Sequence, residues 1–279
     1  MFTHLHVHSW FSFGIGASSP EVLVEAAARR GYRTLALTDT NGVYGAVEFQ
    51  KACEANGIRP ILGAHLVANG QDAVILAEDA RGWGTLGRAV SAVHWEPELA
   101  LSAQLAVDRA GLTVITQDVA LLERLVKLSG PAGLCAELRP GPHRHAVLAA
   151  ARRLGIPAIV TGGVVMAHAE DWNRHRLIHA IHRNGTLPEC GTIQPPPSGG
   201  GSGSRPRGLT AAAEEFPRDA WLRPAADLER HFPDVPEAFA AAAVIAERCQ
   251  YRIPIGRTIA PRHAEADDAL QQLRSLAYE

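Results

Sequence analysis

The chain has 279 residues, 47% hydrophobic and 20% charged, the balance of a soluble globular protein with enough length for a sizeable core, and not of a disordered or fibrous one. A formal charge of −2 offers phosphate backbones no general attraction, so contact with nucleic acid is expected only locally or through a larger assembly. No run of about 18 apolar residues occurs, and the N-terminus lacks a charged region followed by an apolar one; neither a membrane span nor a secretory leader is expected, and the cytoplasm is the default. The four cysteines are widely spaced and form no C-x-x-C pair, which argues against a zinc knuckle or a disulfide framework. Thirteen histidines stand in a chain whose only lysines are Lys51 and Lys127, so histidine is where chemistry is to be sought.

From residue 3 to about 188, short β-branched runs alternate with alanine-rich stretches of helical period. Residues 34–37, 61–67, 74–76, 112–115 and 158–160 read as buried strands, and 20–30, 44–55, 85–93, 119–128, 143–154 and 170–183 as helices. Ser19-Pro20-Glu21 supplies an N-cap, a proline at the first helical position and an acidic first turn. Strands joined by crossover helices imply a mostly parallel α/β sheet, open or closed as a barrel. The organisation expected is a barrel domain over 1–190, a Pro/Gly/Ser-rich linker over 191–208 without regular structure, and a mainly helical extension over 209–279. Within the extension, 221–232, 236–249 and 264–277 read as helical and 251–255 as a short strand.

His4, His6 and His8 alternate with Leu5 and Val7, so on a strand all three imidazoles point to one side. That pattern is a metal site if the imidazoles converge, and a polar strand face if they do not. Asp39 ends the run Leu35-Ala36-Leu37-Thr38, where a carboxylate serves equally as a ligand, as a base or as the cap of the next helix. His175, His179 and His182 share one helical face, a pattern more common for packing than for a metal. Asp118 is read either as a barrel-mouth carboxylate or as a helix cap.

The ordered set His4-Leu5-His6-Val7-His8-Ser9, Leu35-Ala36-Leu37-Thr38-Asp39, Gly42-Val43-Tyr44-Gly45 and Gly57-Ile58-Arg59-Pro60-Ile61-Leu62-Gly63 resembles the polymerase and histidinol phosphatase (PHP) domain. It is most similar to the version that opens the bacterial DNA polymerase III alpha subunit and its error-prone relatives. The likeness continues through Leu76-Ala77-Glu78-Asp79, Gly155-Ile156-Pro157 and, past the linker, Trp221-Leu222-Arg223-Pro224. The resemblance implies a distorted barrel of seven parallel strands, and in working members two or three ions held by histidines and carboxylates that hydrolyse phosphate esters or proofread DNA 3′ ends.

By the same resemblance His6, His8 and Asp39 match metal ligands and His94 stands where polymerase members carry a histidine. The chain departs from the pattern at Thr40, which replaces a histidine, at Ile15, which replaces an aspartate, and at His65, which replaces a bridging glutamate. Gly163 and Val165 replace an Asp-x-His pair. Bridged divalent ions need anionic carboxylates. The implied site is therefore largely degenerate, with His6, His8, Asp39, His65 and His94 left to hold at most one zinc or manganese ion, which implies a structural domain; because His6, His8 and Asp39 are retained, the alternative is an active metal-dependent phosphoesterase or 3′–5′ proofreading exonuclease. The partners implied are the polymerase core of the same parent protein and other replication or repair subunits. Family members carry their nucleotidyl-transfer carboxylates in a domain after this region, so the 279 residues alone are not expected to extend a primer.

Overall fold

In the computed structural model, residues 2–96, 98–185, 218–256 and Arg274 are described. The linker over 191–208 and most of the helix expected at 264–277 lie outside them. Six strands form one sheet in sequence order: β1 (Thr34–Thr40), β2 (Arg59–Ala68), β3 (Gln71–Ala77), β4 (Leu112–Thr116), β5 (Leu134–Leu138) and β6 (Ala158–Val160). Seven helices accompany the sheet: α1 (Pro20–Arg29), α2 (Ala46–Ala55), α3 (Ala80–Trp95), α4 (Leu101–Val107), α5 (Val119–Ser129), α6 (Arg144–Leu154) and α7 (Trp172–His182). Ser19 caps α1 through Val22 N–H with Pro20 at the first helical position, as its sequence implies.

The histidine segment lies alongside β1 and extends the curled sheet. Ala36 N–H donates to the His4 carbonyl and Thr38 N–H to the Val7 carbonyl on the β1 side. On the other side, beyond β6, Val164 N–H donates to the His6 carbonyl and His8 N–H to the Val164 carbonyl. Residues 4–8 thus lie between β1 on one side and the stretch around Val164 that follows β6 on the other, with a single isolated bridge, Val7 to Val164, in place of a strand.

The neighbours β1–β2, β4–β5 and β5–β6 are parallel, but β3 runs antiparallel to both β2 and β4. The cause is the two-residue turn Asn69-Gly70, with φ of 47° and 75°. An Asn-Gly pair with both φ positive makes a tight hairpin, so β2 returns as β3 with no crossover helix. Two elements are absent from the sequence reading, α4 and β5. Helix α3 begins five residues earlier than expected because Asp79 caps it through Gly82 N–H at 2.8 Å.

The C-terminal part holds α8 (Ala225–Glu229) and α9 (Pro236–Arg248). The helix expected at 221–232 shrinks to the short α8, and the strand expected at 251–255 does not form: the segment is irregular and turns back where Ile255 N–H donates to the Ile253 carbonyl. This part is built into the barrel: Val165 N–H donates to the Ala220 carbonyl and Leu222 N–H to the Met166 carbonyl. Arg59 reaches the Ala246 and Cys249 carbonyls at the end of α9, and Leu222, Phe232, Ala238 and Ala242 join the main apolar core.

A buried three-histidine cluster at the barrel mouth

Pairing on both edges fixes the direction of the His6 and His8 side chains, and His65 arrives from β2, the strand beside β1. One ring nitrogen from each of the three lies within 4.8 Å of the others. His6 Nε2 and His8 Nε2 are 2.9 Å apart, and the ring centroid of His65 is 4.8 Å from that of His6 and 5.3 Å from that of His8. His6 and His8 are fully buried. Burial holds both imidazoles below their usual value: in His6 the attraction of Glu137 works against it, and in His8 the neighbouring His6 and His65 add to it.

Each ring has an orienting partner behind it. His6 Nδ1 lies 2.7 Å from Glu137 Oε1, and His65 Nε2 lies 3.1 Å from Asp72 Oδ2 on β3. His8 Nδ1 lies 2.9 Å from Ser12 Oγ, whose hydroxyl donates to Asp39 Oδ1 at 2.6 Å. Asp39 stands at the end of β1 as expected, but both of its oxygens are used at short range. Oδ1 also accepts from Ser9 N–H at 2.7 Å and Oδ2 from the Ser9 hydroxyl at 2.8 Å. Burial raises the Asp39 pKa, and the Ser12 and Ser9 hydrogen bonds offset part of the rise.

His94 sits on the exposed end of α3, where Nε2 contacts the Asn41 carbonyl at 2.7 Å, and it is not one of the three clustered rings. Asn41 donates its backbone N–H to the His65 carbonyl and pairs its side chain with both backbone groups of Val67, so His94 is linked to the cluster through this turn. His4 takes a separate course: its Nε2 lies 3.2 Å from Tyr32 Oη and 3.0 Å from the Arg223 carbonyl, a tie to the C-terminal part.

The positions that depart from the family pattern hold other contacts. Ile15 and Val165 pack with Met166, Ala17, Trp172 and Ile178 in a small apolar cluster. Thr40 N–H donates to Ser12 Oγ, and Gly163, at φ of 54°, leaves room for the Arg139 side chain. Asp118 caps α5 through Leu121 N–H, and His175 and His179 bind the Ile15 and Gly14 carbonyls of the loop after His8, which is the packing role.

Glu137 and Asp72 were not singled out from sequence. Glu137 lies on β5, buried to 1% exposure, and also accepts from Thr161 Oγ1 at 2.5 Å with Arg139 Nε 3.7 Å from its other oxygen. Burial alone would raise its pKa, yet attraction to His6 and Arg139 and the hydrogen bonds from His6 and Thr161 hold it at about 2. Arg139 is a permanent positive charge beside this carboxylate.

A family model described as PHP domain matches residues 4–152, more than half of the chain. The chain belongs to the PHP domain family. The match begins on the first clustered segment and runs through Glu137 and into α6. Among curated relatives, this PHP domain is 28% identical to the DNA polymerase III subunit alpha of Bacillus subtilis (strain 168) over 295 residues, 95% of this chain and 24% of the relative. It is 32% identical to the error-prone DNA polymerase of Anaeromyxobacter sp. (strain K) over 279 residues, 90% of this chain and 23% of the relative. The chain therefore spans about a quarter of the length of the curated relatives it matches. A solved amidohydrolase from Chromobacterium violaceum, with bound sulfate and no metal, aligns at 17% identity and a TM-score of 0.42 over 58% of this chain and 86% of the other. Among the described residues no helix is long and apolar enough to cross a membrane.

Proposed function

We propose that this PHP domain is the N-terminal region of a DNA polymerase III alpha-type polymerase, replicative or error-prone, and that it is a structural and partner-binding element without phosphoesterase activity. One observation carries the reading: the carboxylates at the mouth are already spent. Both Asp39 oxygens are held by Ser9 and Ser12, and Glu137 is shared among His6, Thr161 and Arg139. A two-metal hydrolytic centre, its ions about 3.5–4 Å apart, needs anionic oxygens that bridge the ions and offset their charge. Here Arg139 adds a positive charge instead, and Ile15 and Val165 pack into a small apolar cluster and bring no ligand. The buried C-terminal part, joined to the barrel by Arg59, His4 and Tyr32, suits a domain whose work is to pack against the polymerase core of its parent. On this reading other replication or repair subunits and DNA are met only through that assembly, in the cytoplasm.

The test is release of nucleotides from a 3′-labelled primer by the purified chain with Mn²⁺ or Zn²⁺. The expectation is no release above the metal-only blank. Release that His8→Ala abolishes would show a working proofreading nuclease and overturn the proposal.

A further inference from the structure

We propose that Asn69, at the tip of the β2–β3 hairpin, is a site of spontaneous deamidation, and that its iso-aspartyl product loosens the hairpin that carries Asp72. Five asparagines occur in the chain, and four of them precede a glycine: Asn41, Asn56, Asn69 and Asn184. In such a pair the glycine backbone nitrogen attacks the asparagine Cγ and closes a cyclic succinimide. The side-chain nitrogen leaves as ammonia, taking the proton that the glycine nitrogen gives up. Water then adds to either ring carbonyl and opens the ring to aspartate or iso-aspartate, with no oxidant or reductant involved. Glycine favours the attack because it has no Cβ to crowd the ring. The four pairs are chemically alike, so the fold decides which one reacts.

Attack needs the asparagine to leave its folded conformation and swing its amide carbon over the next nitrogen, so each pair reacts at a rate set by local opening. Asn41 is held: its amide donates to the Val67 carbonyl at 2.9 Å and accepts from Val67 N–H at 2.7 Å, and Gly42 after it is buried. Asn56 follows α2 with its amide on the Ala52 carbonyl at 2.9 Å, and Gly57 N–H donates to the Glu54 carbonyl. After α7 the attacking nitrogen itself is engaged, because Gly185 N–H donates to the Ala180 carbonyl at 2.9 Å. Asn69 and Gly70 are both exposed, and among the described residues neither the Asn69 amide nor the Gly70 N–H makes a hydrogen bond. The aspartyl product keeps the turn, since Asp-Gly suits a two-residue hairpin as Asn-Gly does. The iso-aspartyl product routes the backbone through the side-chain carbons and lengthens a loop whose two positive-φ residues set the register. Beyond the turn Ala68 faces Gln71 and Val67 faces Asp72, which holds His65 at 3.1 Å, so the disturbance reaches the orientation of that ring.

The experiment incubates the full chain in mildly alkaline buffer, folded and, as a reference, unfolded in urea. Peptide mapping by mass spectrometry follows each asparagine, and enzymatic carboxyl methylation follows iso-aspartate. The expected result is that Asn69 converts first in the folded chain, close to its unfolded rate, while the two hydrogen bonds of Asn41 slow it on the order of tenfold. Asn69→Gly, whose Gly-Gly pair suits the same turn, should remove the early methylation signal. The iso-aspartyl fraction should melt below the parent chain, and Asn69→Asp should melt at the parent's temperature. First conversion at Asn41, Asn56 or Asn184, slowing of Asn69 equal to that of Asn41, or an early methylation signal unchanged in Asn69→Gly overturns the site. An iso-aspartyl fraction that melts with the parent overturns the effect on the hairpin. These readouts are independent of the proposed lack of phosphoesterase activity, which 3′ nucleotide release tests.

Discussion

Ser12→Ala removes one oxygen atom from a fully buried position and exposes how the mouth is held. Ser12 Oγ donates to Asp39 at 2.6 Å, accepts from Thr40 N–H at 3.0 Å and faces His8 Nδ1 at 2.9 Å. Alanine supplies none of these contacts. Asp39 keeps both contacts with Ser9, so its loss is one hydrogen bond of about 0.5–1.5 kcal/mol, raised toward about 2 because the acceptor is charged. Thr40 N–H loses the partner it has in Ser12, and the bond to His8 Nδ1 is gone as well. Thr40 is half-buried, and a donor left unsatisfied out of reach of water costs about 1–3 kcal/mol, the upper bound here. With partial relaxation the variant should lose about 3–5 kcal/mol, at the high end for a single substitution. Urea unfolding followed by circular dichroism measures the loss from midpoint and slope. Ser91→Ala is the control: that hydroxyl bonds only the Gly87 carbonyl on the exposed side of α3, and its removal should change stability by less than about 0.5 kcal/mol. A loss below about 1 kcal/mol for Ser12→Ala would refute the argument that this hydroxyl joins Asp39, Thr40 and His8.

Three further outcomes are expected. Gly82→Ala should unfold the chain or lower its melting temperature sharply, because the added Cβ would stand 1.8 Å from the Gly111 carbonyl oxygen; an unchanged melting curve would contradict the close approach of α3 to that turn. Arg59→Ala frees the Ala246 and Cys249 carbonyls and should speed amide exchange in α9 severalfold while β4 and β5 keep their protection, so equal exchange in α9 would count against its role. His175, packed between Trp172 and His179 with Nδ1 on the Ile15 carbonyl, is pushed by burial from 6.5 to about 4, so the folded chain prefers it neutral. Its contribution, on the order of 2–3 kcal/mol, is fully present above pH 6.5 and is lost as pH falls from 6.5 toward 4. Stability measured at intervals through that window should fall less steeply in His175→Gln than in the parent chain, and identical slopes would refute the assignment.

Strands β1, β2, β4 and β6 and helices α1, α2, α5, α6 and α7 were legible because each is a continuous apolar or amphipathic run closed by a glycine, a cap or a proline. β5 was hidden by its own functional residue. In Leu134-Cys135-Ala136-Glu137-Leu138 a carboxylate interrupts five residues, and a short run with a charge reads as loop. The available signal was positional: α5 and α6 need a strand between them, and glycines before 134 and Pro140-Gly141-Pro142 after it mark the ends. The antiparallel course of β3 was written in Asn69-Gly70 but outweighed by the expectation of crossovers.

At the site, the pairing of His6 with His8 followed from their spacing, whereas the arrival of His65 needed the register of β1 against β2, in which Thr40 lies opposite His65. The direction of a carboxylate at a strand end depends on the loop that follows the neighbouring segment. No local pattern shows that Ser9 and Ser12 turn back onto Asp39, or that His94 stops at the Asn41 carbonyl.

The most direct test of the account is a crystal structure of the chain grown with excess Mn²⁺ and Zn²⁺, with metal positions located by anomalous scattering at each absorption edge. The account predicts no pair of bridged metal peaks at the barrel mouth, and Asp39 still bonded to Ser9 and Ser12. Two or more peaks bridged by Asp39 or Glu137 would contradict it and return the domain to the phosphate-ester hydrolases.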